Sequence, residues 1–427
     1  MNNLKESDKK NIWHPFTPLV GFDDPLLIIK AEGIYLYTDT GRKIIDAVSS
    51  WWVNLHGHSN PHIAKAVAEQ SRNLEHVIFA GFTHAPAIQL SENLLSILPE
   101  NQSRVFYSDN GSTAVEVALK MAIQFWHNQG IANKKKVIAL NGAYHGDTFG
   151  AMAIGERGAF TSPFVPYLFD VSYIDFPTAA NEQDVLAQFR DILKDSDIGT
   201  FIFEPLVQAA AGMRMYSAKI LDKLIQAAHN HDVICIADEV FTGFGRTGKM
   251  FASDYLNNKP DIIAISKGIT GGALPLGVTS CSDKIVSAFI SSDRQKTFFH
   301  GHSYTANPIA CAAANASFEL LIENSCQEQI ELIETLHKKF IHRISNHRHV
   351  LNARNLGTIL AVELKTPEGT SYFNEIRKLS YKFFLDRDIL LRPLGNVIYV
   401  LPPYVIKENE LEIVYGSIVD FLDSLQF

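Results

Sequence analysis

The sequence predicts an α/β protein: a large domain with a mostly parallel sheet flanked by helices, and a smaller α+β domain beside it. Two observations carry that expectation. From about residue 100 to 280, short apolar β runs alternate with stretches of helical periodicity, the pattern of a parallel sheet with helices on both faces. After about residue 305 the alternation gives way to a long helical stretch, a few β runs and a final amphipathic helix.

The elements follow in order. LIIKAEGIYLYT (27–38) reads as a strand pair. RVFYS (104–108) leads into a helix beginning near Ser112, whose Val115, Ala118, Leu119, Ala122, Phe125 and Trp126 fall at helical spacing. Thr113-x-x-Glu116 matches a capping box. KKVIAL (135–140), FIFEPLV (201–207), VICIADEV (233–240) and PDIIAIS (260–266) read as further strands, with a helix over about 217–231 between the second and third. The helical stretch 307–347 precedes GTILAVEL (357–364). Then come DILLRP and VIYVLPP, joined across Leu394-Gly395-Asn396, and a helix over 407–425. The expected division is residues 1–55 packing with the small domain, 56–306 as the large domain and 307–427 as the small one.

Composition narrows the function. Of 427 residues, 46% are hydrophobic and 20% charged, which suits a globular chain with a large core. A net charge of −8 without a basic block argues against nucleic-acid or anionic-membrane partners. The four cysteines lie far apart with no Cys-x-x-Cys spacing, so neither a disulfide framework nor structural zinc is expected. No signal core and no apolar run of membrane length is present, and the expected compartment is a reducing cytoplasm.

The chemistry centres on two strand ends. Asp238 closes VICIAD, and Lys267 follows DIIAIS 29 residues later. A buried strand end is a poor place for a charge without a partner or a task. One reading is an ion pair capping neighbouring strands. The other is pyridoxal phosphate chemistry, in which a lysine takes the aldehyde and an aspartate holds the pyridine nitrogen protonated. Gly111 and Ser112 open a helix, where free N–H groups and the dipole form a phosphate seat or an ordinary cap. Tyr144, in Gly142-Ala-Tyr144-His145-Gly146, suits a wall against a planar ring or a core position beside a turn.

Other motifs are more ambiguous. Gly243-Phe-Gly245-Arg246-Thr-Gly248-Lys249-Met250 imitates nucleotide-binding loops, but Met250 cannot hold magnesium and no acid follows at the ribose spacing. Arg246 remains a possible carboxylate clamp. Trp51 and Trp52 could wall an apolar substrate or fill the core, and Arg392 is either a bidentate carboxylate site or an exposed strand residue. His14, His56, His58, His300 and His302 lack a metal-binding helix motif, so no metal is expected.

Taken together these segments resemble the class III, fold-type I aminotransferases that use pyridoxal phosphate. IADEVFTGFGRTGKMFASDYLNNKPDIIAISKGITGG is similar to the family's characteristic stretch. IWHPFTPL, SSWWVNLHGH, AYHGDTFGAM, GMRMY, FFHGHSYTANPIACAAANAS and RPLGNVIYVLPPY resemble its biotin-synthesis branch, across about residues 12–404. That branch transfers an amino group, usually from S-adenosylmethionine, to 8-amino-7-oxononanoate. The resemblance implies that Lys267 carries the cofactor, Asp238 pairs with its ring nitrogen, Gly111 and Ser112 bind its phosphate, and Tyr144 lies against its ring and contacts substrate. It implies a homodimer in which His302 and Ser303 complete the phosphate site across the interface; serine stands where the family more often has threonine. Phe16, Trp51, Arg246, Gly301 and Arg392 would contact small-molecule substrates, Arg392 taking the distant carboxylate. Phe16 replaces a frequent tyrosine and removes a hydroxyl. The donor is therefore open between S-adenosylmethionine and lysine, and another class III ω-aminotransferase is the remaining alternative.

Overall fold

A computed structural model describes residues 2–21, 24–371 and 374–426. The chain opens with an antiparallel meander, β1 (Ile28–Glu32), β2 (Tyr35–Thr38) and β3 (Lys43–Asp46). The large domain contributes β4 (Gln102–Ser108), β5 (Lys136–Leu140), β6 (Val171–Ile174) and β7 (Ile198–Phe203). A two-stranded ribbon, β8 (Val207–Gln208) with β9 (Arg214–Met215), precedes β10 (Ile234–Asp238), β11 (Ile262–Ile265) and β12 (Gly277–Ser282). The C-terminal part adds β13 (Val350–Leu356), β14 (Ile359–Leu364), β15 (Ile389–Leu390) and β16 (Val397–Val400).

The seven-stranded sheet runs in the order β4-β12-β11-β10-β7-β5-β6. Only β12 is antiparallel to its neighbours; the pairs β11/β10, β10/β7, β7/β5 and β5/β6 are parallel. Alternate residues feed two separate cores. Val137, Ala139, Ile202, Ile234, Ile236 and Ala264 join the apolar stripe of the helix Gly111–Asn128. Ile138, Leu140, Phe201, Phe203, Cys235, Ala237 and Ile263 join the main core on the opposite face. Burial on both faces explains why these strands read as continuous apolar runs. Each such Val or Ile, fully removed from water, contributes about 1.5–3 kcal/mol.

Four expectations need correction. The box at the start of Gly111–Asn128 is formed by Asn110 and Thr113 rather than by Thr113 and Glu116. Glu116 instead accepts the Thr148 hydroxyl and the N–H groups of Gly150 and Ala151, at the start of the next helix. FIFEPLV breaks at Glu204-Pro205, because proline brings no N–H to a ladder. The stretch 307–347 is two helices, Pro308–Leu321 and Asn324–Ile344. DILLRP and VIYVLPP do not form a hairpin. β15 pairs in parallel with β3, whereas β16 pairs with β14, and the turn between them is closed by mutual Leu394–Val397 backbone bonds. Arg392 therefore emerges between two sheets.

Candidate active site

Asp238 ends β10 and Lys267 lies just beyond β11, in adjacent parallel strands registered Asp238↔Ala264. Both reach the carboxyl edge of the sheet, where ligands of open α/β folds collect. Asp238 is buried, with the Val240 N–H donating to Oδ1 at 3.1 Å. The Lys267 backbone is left-handed, φ 45°, a conformation that costs a non-glycine residue about 1–3 kcal/mol. Its amine lies 5.1 Å from the Trp52 ring centroid and 5.9 Å from that of Phe241. Burial pushes this amine below the ordinary lysine value, while the charges of Asp238 and Glu204 pull it back up. A depressed amine pKa is what a nucleophilic lysine needs.

The neighbouring strands add a network that the sequence reading only half exposed. His145, five residues beyond β5, donates from Nδ1 to Asp238 Oδ2 at 2.7 Å. Tyr144 is 40% exposed, with its N–H bonded to Glu204 Oε1 at 3.0 Å. Glu204 directly follows β7 and also accepts the Ala209 N–H. Burial first, and the charge of Asp238 after it, raise its carboxyl to about 7 against the pull of His145. Glu204 went unassigned in the sequence, although a charge closing the apolar run FIF is the same signal that exposed Asp238. His145 stood inside a quoted motif without a role.

The turn after β4 supplies a cradle. Asn110 Oδ1 accepts the Thr113 N–H, and a helix start leaves its first N–H groups without intrahelical acceptors. At Gly111 a Cβ would meet Val240 at 2.7 Å, and at Gly146, φ 129°, it would meet the Ser112 hydroxyl at 2.1 Å. Gly111 thus permits the close approach of this turn to the segment after Asp238, and Gly146 the close approach of the Tyr144 loop to Ser112. The Asp147 N–H holds Ser112 Oγ at 3.1 Å.

The substrate-side candidates are split. Trp51 and Trp52 sit on a turn where Ser49, Ser50 and Trp52 all have positive φ. Trp52 is buried and donates from Nε1 to Tyr399 Oη at 2.9 Å, and Trp51 is 42% exposed with the Arg392 guanidinium 4.6 Å from its ring centroid. Phe16 packs beside Trp51 and Phe160, at ring-centroid distances of 6.0 and 6.2 Å. Arg246 departs from the expected clamp. It is fully buried, donating to the carbonyls of Pro402 and Asn54, with Nε left without a partner. Its fork is occupied by main chain, so it braces the loop that carries the tryptophans.

Gly301 and Ser303 are exposed, in a turn where the His302 N–H bonds Thr305 Oγ1. Among the described residues one His/Cys/Asp grouping has metal-ligand spacing: His229, Cys235 and Asp261. The Asp261 carboxylate is already held by the Cys235 N–H, the His229 ring and the Lys284 ammonium, at the opposite edge of the sheet from Lys267.

The donor set fits pyridoxal phosphate: an amine for the aldehyde, a buried carboxylate for the ring nitrogen, and a serine-bearing helix start for the phosphate. Fold and site together define a fold-type I pyridoxal-phosphate-dependent transferase. The chain belongs to the class III aminotransferases, whose family profile matches residues 21–422. It is 45% identical to adenosylmethionine-8-amino-7-oxononanoate aminotransferase of Synechococcus elongatus, over 97% of this chain and 99% of that one. Identity to the enzyme of the same name from Staphylococcus aureus is 37%, over 96% and 95%. The crystal structure of that enzyme from Methanocaldococcus jannaschii superposes with a TM-score of 0.94 at 35% identity, covering both chains fully. An omega transaminase of Pseudomonas jessenii in complex with PMP gives 0.92 at 26% identity, covering 98% and 97%.

Proposed function

We propose that this aminotransferase moves an amino group from S-adenosylmethionine to 8-amino-7-oxononanoate in biotin synthesis. The observation that carries the reading is a relay of contacts: Arg392 over Trp51, and Trp52 over Lys267. The acceptor has a carboxylate at one end, an apolar tail, and a ketone beside an amine at the other. A distant cation, aromatic walls and a buried amine match those parts in order.

Bound at this site, pyridoxal phosphate draws electrons from the reacting carbon and carries the amino group between donor and acceptor. Lys267 would hold its aldehyde and, once released, its uncharged amine takes a proton from the donor carbon and later returns one to the acceptor carbon. Asp238 would hold the ring nitrogen, with His145 fixing that carboxylate at 2.7 Å. Gly111 and Ser112 would bind the phosphate, while Tyr144 would close one side of the ring. Arg392 anchors the acceptor carboxylate, so that its ketone rather than its tail reaches Lys267. Phe16 stacks on the adenine of the donor.

The working unit in this reading is a homodimer. Ile78, Phe82, Phe299 and Tyr304 are all more than half exposed, and the Asn307 amide bond to the Glu75 carbonyl joins their two segments. So much exposed apolar surface suits a second copy, to which Gly301, His302 and Ser303 would be presented. No helix among the described residues is long and apolar enough to cross a membrane, and the four cysteines are free. A reducing cytoplasm agrees with the free thiols.

The test is the visible colour of the purified holoenzyme. It bleaches with S-adenosylmethionine and returns with 8-amino-7-oxononanoate, and Lys267→Ala lowers turnover about 10²–10⁴-fold. Colour that ignores S-adenosylmethionine but bleaches with lysine moves the donor assignment. Full turnover by Lys267→Ala removes the reading.

A further inference from the structure

We propose that Asp46 and His58 are positioning residues that set the chain length of acceptor the enzyme accepts. The inference rests on the reading of Arg392 as the carboxylate anchor. Asp46 ends β3 with no exposed surface. Its carboxylate accepts the Val48 N–H at 3.2 Å, the Ser50 N–H at 2.7 Å, the Ser50 hydroxyl at 3.1 Å and His58 Nε2 at 2.9 Å. Two residues 12 apart thereby clasp the loop that carries Trp51 and Trp52.

That loop contains three left-handed non-glycine residues, Ser49, Ser50 and Trp52. Such backbone persists only where the surroundings over-determine it. The clasp supplies that determination from inside. From outside, Ser49 Oγ donates to the Leu401 carbonyl and Arg246 holds the Asn54 carbonyl. Backbone bonds between Gly33 and His58 keep the histidine at the loop's far end.

The clasp stands between the two ends of the substrate site. On one side Asp46 pairs with Leu390 across β3 and β15, two residues before Arg392, whose guanidinium lies over Trp51. On the other side Trp52 lies over Lys267 and bonds Tyr399. One loop thus touches both the carboxylate anchor and the reacting amine, and its shape fixes the span between them. A loosened span admits shorter and longer keto acids, and it changes acceptor selection more than the donor step, which does not depend on the distance to Arg392.

Asp46→Asn, His58→Ala and His58→Gln holoenzymes test this. The readouts are the bleaching rate with donor alone, and kcat and KM for 8-amino-7-oxononanoate and homologues one methylene shorter and longer. Bleaching is expected to fall less than turnover of the native acceptor. KM for the native acceptor should rise about tenfold, and its preference over the homologues, set at about 10–200-fold per methylene in a tight pocket, should fall toward unity. His58→Gln, which retains a donor for Asp46, recovers most of the preference that His58→Ala loses. Should Asp46→Asn fail to fold, the two His58 variants carry the test. Unchanged homologue preference in the folded variants would overturn the proposal, as would donor and acceptor steps falling together with Tm. A parent enzyme that ignores all three acceptors overturns the substrate reading itself.

Discussion

His145 Nδ1 stands 2.7 Å from Asp238 Oδ2, and both residues are buried. Burial pulls the imidazole pKa down, but the hydrogen bond and charge of Asp238 outweigh it, and the net direction is upward from 6.5. The pair therefore adds stability that is fully present below pH 6.5 and is lost as pH rises through the elevated folded value. In cofactor-free protein, His145→Ala should lose about 3–5 kcal/mol at low pH by leaving Asp238 unpaired. The gap to the parent should narrow as pH rises, in urea unfolding followed across that range. A pH-independent gap would place the cost in packing.

Glu204 gives a slope in the same direction from a different group. Burial raises its carboxyl from 4.5 to about 7, so the fold favours the protonated form. Its stabilising contribution is complete below pH 4.5 and declines as pH climbs to about 7, by about 3 kcal/mol in all. Glu204→Gln should flatten Tm against pH in that window. The amide oxygen still accepts the Tyr144 N–H, but the Ala209 N–H loses its carboxylate.

Much of the site was legible because burial makes charge conspicuous. Asp238 and Lys267 stood out as charges closing apolar runs, and strand alternation placed both at one sheet edge. Glu204 obeyed the same rule but was hidden by the apolar residues on both sides of it, Phe203 before and Leu206-Val207 after, which made FIFEPLV look like one strand although Pro205 breaks it. The roles of Arg246 and Asp46 were not legible. An arginine in a glycine-rich loop looks the same whether it faces a ligand or two carbonyls, and only tertiary contacts with Asn54 and Pro402 decide. Asp46 bonds chiefly to main chain across a left-handed turn, a conformation that serines and tryptophans do not announce.

Partnering between distant segments was equally hidden. Arg392 was read on a hairpin because two β runs flank a glycine turn. β15 is two residues long and completes the N-terminal sheet through Ile389↔Ile45 and Leu390↔Asp46, a parallel pairing that local sequence does not encode. The consequence is geometric: that pairing brings Arg392 to Trp51.

Arg392 is the residue on which acceptor recognition should depend most. Removing one member of a buried charge pair costs about 2–5 kcal/mol in binding. Arg392→Met should therefore raise the acceptor KM about thirtyfold or more, while the donor half-reaction with S-adenosylmethionine is spared. Arg392→Lys should fall between, because an ammonium keeps the charge but lacks the planar fork and its stacking on Trp51. Steady-state kinetics with each substrate varied separately checks the split. Equal damage to both half-reactions would place Arg392 in the fold rather than at the carboxylate.

Phe16 sets the sharpest question about the donor. Its ring is 54% exposed and leans on Trp51 and Phe160, so it offers a face for stacking and no hydrogen bond. Phe16→Tyr adds one hydroxyl at the rim and leaves the ring contacts unchanged. A neutral hydrogen bond is worth about 0.5–1.5 kcal/mol, which converts to about a two- to tenfold gain in kcat/KM. That gain should fall on S-adenosylmethionine, whose adenine and ribose carry acceptors, and not on lysine, whose amine and carboxylate are handled deeper in the site. Bleaching rates with the two donors, compared between parent and variant, separate the cases. A gain confined to S-adenosylmethionine assigns Phe16 to donor recognition. An equal effect on both donors would mean that this ring shapes the entrance and does not choose what passes through it.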